Sequence, residues 1–115
     1  MKYMLLIYNE EKAHRSEKEQ EDCKKEAVKL AEHLRSKGQY VAANPLHPTA
    51  KAKSIRIRDG GNRLVTDGPF AETHEQLAGY FLIETNTHAE ALAVALKIPM
   101  ANNGTVEVRP VVEFP

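Results

Sequence analysis

Residues Lys2 to Tyr8 limit the possible folds more than any other part of this chain. As a strand they are apolar on both faces, with Tyr3, Leu5 and Ile7 on one side and Met4, Leu6 and Tyr8 on the other. Tyr80 to Glu84 reads as a second strand with apolar residues on both sides. Both faces of any sheet built from these strands need cover. Only two segments have the period of an amphipathic helix. Ser16 followed by Glu19 is a capping box, and Cys23, Ala27, Leu30, Ala31 and Leu34 make one buried stripe before Gly38 stops the helix. Thr87 and Glu90 make a second box, and Ala91, Leu92, Ala95 and Leu96 give a second stripe that ends before Pro99. The charge run from Glu10 to Glu26 is the solvated start and outer face of the first helix.

Between the helices the pattern changes. Tyr40 to Ala43 reads as a short strand that breaks into a loop at Asn44-Pro45 and His47-Pro48, because proline cannot donate to a ladder. Ser54 to Asp59 alternates, with Ile55 and Ile57 opposite Arg56 and Arg58, and Asp59-Gly60-Gly61-Asn62 signals a hairpin back through Arg63 to Thr66. Thr105 to Phe114 closes the chain as a strand. This order predicts a single α+β domain over residues 1–115, a ferredoxin-like βαββαβ sandwich with an added hairpin. Both helices then lie on one face of the sheet. Since the other face is also apolar, the pattern predicts a homodimer packed through the open sheet face.

Composition narrows the function classes. Sixteen basic and sixteen acidic residues balance, and no Lys/Arg stripe interleaved with aromatics stands out, so nucleic acid is not expected as a partner. The apolar start is too short for a signal peptide and nothing approaches a membrane span, which together with the single Cys23 points to a cytoplasmic protein without membrane contact. Asn103-Gly104-Thr105 matches a glycosylation sequon, a chance match in such a protein. The five histidines have no metal-ligand spacing, and no Gly-rich phosphate loop opens a helix, so neither metal nor cofactor is expected.

The densest run of specified residues is Val65 to Ile83. Gly68-Pro69 forces a sharp change of direction there and leaves Asp67 at the mouth of a turn. Asp67-Gly68-Pro69-Phe70-Ala71-Glu72-Thr73, with Glu75-Gln76-Leu77 and Gly79-Tyr80, resembles the signature of the YCII-related proteins known by their DGPF motif. The likeness extends to the opening Met1 to Tyr8 and to the closing Val106-Glu107-Val108-Arg109-Pro110. His74 and Ala78 depart from the pattern, which has mostly Lys and Gly there. The resemblance implies a dimeric ferredoxin-like fold of the α/β-barrel type, and it does not supply a substrate.

Three residues are candidate acid–base groups. Asp67 can act as one if Phe70, Tyr80 and Phe81 desolvate it; equally, Asp is a good turn former. His33, at the edge of the first helix's stripe, resembles the histidine of the wider family's suggested His–Asp site; its plainer reading is a surface histidine. His47, between Pro45 and Pro48, sits on a stiff loop. Phe70, Glu72, Tyr80 and Arg58 are candidate ligand contacts, although Thr73 and Gln76 also read as a capping box and Arg58 as a surface cation. The expected function is cofactor-free acid–base chemistry on a small molecule, of tautomerase, lyase or hydrolase type. The alternatives are a small-ligand-binding or regulatory module, and a structural protein whose turn locks the dimer.

Overall fold

The computed structural model describes residues 1–13, 15–99 and 104–115. Its elements are β1 (Lys2–Asn9), α1 (Glu17–Ser36), β2 (Tyr40–Pro45), β3 (Lys53–Arg58), β4 (Asn62–Asp67), β5 (Gln76–Glu84), α2 (His88–Ala95) and β6 (Gly104–Pro110). β2, β5, β1 and β6 form an antiparallel sheet in that order, and β3 and β4 form a separate two-stranded ladder. Without the hairpin, this is the α+β strand order of a ferredoxin-like fold. Both helix starts follow their caps: the Glu19 amide donates to Ser16 Oγ at 3.1 Å and the Glu90 amide to Thr87 Oγ1 at 3.1 Å. Gly38, at φ +70°, ends α1 in a conformation that other residues rarely adopt.

The core lies on the helix side of the sheet. β1 pairs with β5 so that Tyr3 faces Ile83 and Leu5 faces Phe81, and Leu30 and Leu34 of α1 close over them. Tyr3, Leu5, Leu34 and Ile83 are 1% exposed or less. Full burial of each such side chain contributes roughly 1.5–3 kcal/mol. On the opposite face Met4, Leu6, Ala42, Tyr80 and Leu82 are only half-buried, and neither helix covers them.

Four expectations need correction. β2 continues through Pro45 instead of breaking at Asn44: it is an edge strand, where a missing N–H breaks no ladder bond on the open side. α2 buries Ala91 and Val94, with Ile98 beyond its end, while Leu92 and Leu96 are 44% and 88% exposed. The 91, 94, 98 spacing is as helical as the one expected, and only the position of the sheet chooses between them. β6 ends at Pro110, short of Phe114. Thr73 and Gln76 cap no helix: Gln76 opens β5, and its amide donates to the carbonyls of Ala71 and Thr73 at 3.0 and 3.2 Å, tying down the loop. Asn103 of the sequon lies outside the described residues.

The β3–β4 hairpin turns at Gly60 and Gly61, both at positive φ, and its strands pack chiefly on each other. Ile55 and Val65 pair on one face with Ile57, and all three are at least 60% exposed. The Asp67-Gly68-Pro69-Phe70 run closes the base of this hairpin. Gly68, at φ +93°, donates its amide to the Ala52 carbonyl at 2.7 Å, Ser54 Oγ donates to the Gly68 carbonyl at 2.8 Å, and Arg56 Nη2 donates to the Phe70 carbonyl at 2.7 Å.

Candidate functional site

The row Cys23, Ala27 and Ala31 runs along α1 at four-residue spacing, and small side chains cannot fill the gap between a helix and a sheet. Leu30 and Leu34 close that gap at the C-terminal end of the helix. At its N-terminal half the gap stays open as a groove of about 780 Å³ between α1, β2 and the loop after β2. Gly79 on β5 deepens it for a second reason. A Cβ at this position would stand 3.0 Å from the Asn44 carbonyl oxygen and 3.2 Å from Pro45 Cα, so only glycine lets β2 lie this close.

The groove has an apolar body and a polar rim. Ile7, Ala27, Val28, Ala31, Ala43 and Leu46 supply the apolar surface, and Asn9, Arg15, Gln20, Lys24 and His47 supply the polar groups. The one carboxylate of the lining, Glu11, is already engaged. It accepts from the Thr49 amide at 2.8 Å and from Thr49 Oγ1 at 2.6 Å, which ties the end of β1 to the loop after β2. Its neighbour Glu10 meets His74 Nε2 at 2.6 Å, so the loop of the DGPF stretch is fastened to the same strand end. Among the described residues Arg15 and Lys24 belong to no ion pair. The rim is therefore biased toward positive charge in a protein whose net charge is zero.

The sequence candidates fall in three places. His47 lines the groove; Tyr80 borders it at the edge of β2 although its side chain lies on the helix-free face, where its hydroxyl accepts from Asn44 Nδ2 at 2.9 Å. Asp67 stands at the hairpin base with its side chain 85% exposed, held by Lys53 Nζ at 2.6 Å. Phe70 is 77% exposed and Glu72 is exposed in the loop that follows, while Arg58 Nη1 donates to the Ile57 carbonyl at 3.2 Å near the hairpin tip. His33 lies in the last turn of α1, on a cleft of about 180 Å³ against α2 that it shares with Lys37, Glu90 and Lys97. Among the described residues no hydrogen bond joins any two of Asp67, His33 and His47. The groove's cations were missed because Arg15 and Lys24 lie in a charge run that reads as solvated surface. The three small residues at four-residue spacing were the available signal.

Away from the groove, on the helix-free face of the sheet, Arg109 donates to the Glu107 carboxylate, and these hydrogen bonds together with the carboxylate's charge raise the Arg109 pKa above the ordinary value. The described residues contain no group of three or more His, Cys, Asp or Glu side chains placed to hold a metal ion. No described helix is long and apolar enough to cross a membrane.

The model of the YCII-related domain matches residues 1–115. The chain belongs to the YCII-related family. An uncharacterized protein of Rhizobium meliloti (strain 1021) is 36% identical to it over 114 residues, covering 96% of this chain and 91% of the relative. This YCII-related chain therefore shares nearly all of its length with a protein whose own name assigns no activity, and function has to be argued from the groove.

Proposed function

We propose that this YCII-related protein is a homodimeric small-ligand-binding protein whose groove between α1 and β2 takes an organic anion with an apolar body. The observation that carries this reading is the groove itself, about 780 Å³ in volume. That volume is in the range of small-molecule sites, and the groove's lining is mostly apolar with a few polar groups among it, as in such sites. Arg15, Lys24 and His47 would face the anionic head, and the Ala27, Ala31 and Ile7 surface the apolar part. Dimerisation is supported by the uncovered sheet face carrying Met4, Leu6 and Leu82.

A second reading, cofactor-free acid–base catalysis in the same groove, is favoured by the placement of His47. It is the only one of the three proposed acid–base groups that lines the groove, and an imidazole there can transfer a proton near neutral pH. Asp67, tied to Lys53 and closing the hairpin, is better explained by architecture in this protomer.

The test is a thermal-shift screen of small keto acids, unsaturated dicarboxylates and phenolic acids against wild type, Ala27→Leu, His47→Ala and Asp67→Asn. A ligand that binds only the folded state raises the melting temperature in proportion to ln(1 + [L]/Kd). Expected are hits whose shift is retained in Asp67→Asn, reduced in His47→Ala and abolished in Ala27→Leu, which fills the groove. Shifts lost in Asp67→Asn and kept in Ala27→Leu would move the site to the hairpin base. Turnover of a hit that ceases in His47→Ala would favour the catalytic reading over the binding one.

A further inference from the structure

The hairpin is the part of this molecule that its own fold does not explain. The chain exposes 8361 Å². A compact monomer of its mass exposes about 6,300 Å². Its radius of gyration is 16.1 Å. About 13 Å is typical of a compact domain of this length. Every residue of β3 and β4 except Ser54 is exposed, with Ile55, Ile57 and Val65 at 64%, 60% and 64%. A two-stranded hairpin standing alone in water is marginal in stability. An arm meant only for solvent would be polar on both sides, whereas this one carries Ile55, Val65 and Ile57 together on one face, flanked by Arg63 and the Lys53–Asp67 pair, with Leu64 among Arg56, Arg58 and Thr66 on the other.

The shape of the protomer indicates what covers it. The molecule measures 47 × 45 × 18 Å. The short dimension is about one sheet plus one helix layer. The hairpin therefore extends within this slab and does not project out of it. Two slabs stacked through their uncovered sheet faces about a two-fold axis bring each arm over the other protomer. The surface available is sufficient: the excess of about 2,000 Å² per chain corresponds to about 4,000 Å² for a pair, within the range of obligate dimers.

We propose that the β3–β4 hairpin is a clasp for a second copy of this chain, laying Ile55, Ile57 and Val65 against the apolar sheet face of the partner beside Met4, Leu6 and Leu82. The proposal rests on the homodimer reading above and adds the arm to the interface. The Asp67-Gly68-Pro69-Phe70 turn then has a defined task, which is to fix the angle at which the arm leaves the domain.

Sedimentation velocity of wild type, Ile55→Asp/Ile57→Asp and Leu6→Glu over a concentration series separates the possible outcomes. The clasp predicts a dimer in wild type and a dissociation constant at least tenfold higher in the arm variant, with its far-UV circular dichroism unchanged. A photo-cross-linking residue placed at Ile57, in a mixture of isotope-labelled and unlabelled chains, should give mixed dimers linked near Met4, Leu6 or Leu82. An arm variant with the wild-type dissociation constant overturns the clasp while leaving the dimer standing if Leu6→Glu dissociates. Cross-links confined to one chain, or landing elsewhere on the partner, overturn it as well. A wild type that stays monomeric at tens of micromolar overturns both the clasp and the homodimer.

Discussion

Ile83 and Ile55 are the same side chain on strands of the same protein, one fully buried and the other 64% exposed. Ile83 sits in a four-stranded sheet whose neighbours β1 and β2 bring Tyr3 and Tyr40 alongside it, with α1 closing above. Ile55 sits in a two-stranded ladder with Val65 opposite, and both are 64% exposed. The contrast shows that an alternating pattern specifies a strand with one apolar face without specifying which molecule covers that face. In the main sheet the cover comes from the chain's own helices; on the hairpin the described residues of the protomer leave that face exposed.

The sharpest check on this contrast is the core. Ile83→Ala should cost roughly 2–5 kcal/mol of folding stability, read from the urea midpoint at constant slope, because a large buried side chain leaves a cavity that close packing cannot collapse. Gly79→Ala should cost roughly 1–3 kcal/mol, since the new Cβ presses on the backbone of β2. Hydrogen exchange should show the loss concentrated in Tyr40–Pro45, and uniform loss across the sheet would mean that the close approach is not the cause. Ser16→Ala removes the cap of α1 and should cost about 1 kcal/mol. If groove ligands bind as proposed, that change should also weaken them modestly, because Arg15, Gln20 and Lys24 stand at the start of this helix. The smallest effect belongs to the hairpin. Ile55→Thr in a Leu6→Glu background, which would disrupt the proposed sheet-face dimer, should change the folding stability of the protomer by no more than about 0.5 kcal/mol. A loss comparable to that of Ile83→Ala would show that the hairpin packs on its own chain, and the contrast would be void.

One further measurement concerns the turn. The exposed Lys53–Asp67 pair should contribute roughly 0–1 kcal/mol, screened by salt, so Lys53→Ala should melt close to wild type and the difference should shrink at high ionic strength. An Asp67→Asn variant that folds, dimerises and binds like wild type would complete the architectural account of this residue.

Much of the fold was legible because its signals are local. Ser16 and Thr87 cap their helices through an amide three residues on, Gly38 and Gly68 take the positive φ that their neighbours require, and the two glycines after Asp59 turn the hairpin. The candidate site was less legible. Of the residues singled out, His47 and Tyr80 both border the groove, while Asp67 and His33 lie on other elements, because polar residues far apart in the chain converge only where packing leaves room.

From its own residues the chain determined the type and order of every strand and helix, the ferredoxin-like arrangement and the presence of an uncovered apolar face, since each follows from backbone preference and the period of burial. Only the tertiary structure decided which row of α2 is buried, that Pro45 can end an edge strand, and that Cys23, Ala27 and Ala31 stand over Gly79 with a groove between them. Those outcomes depend on the distance between two surfaces, which no single segment of sequence contains.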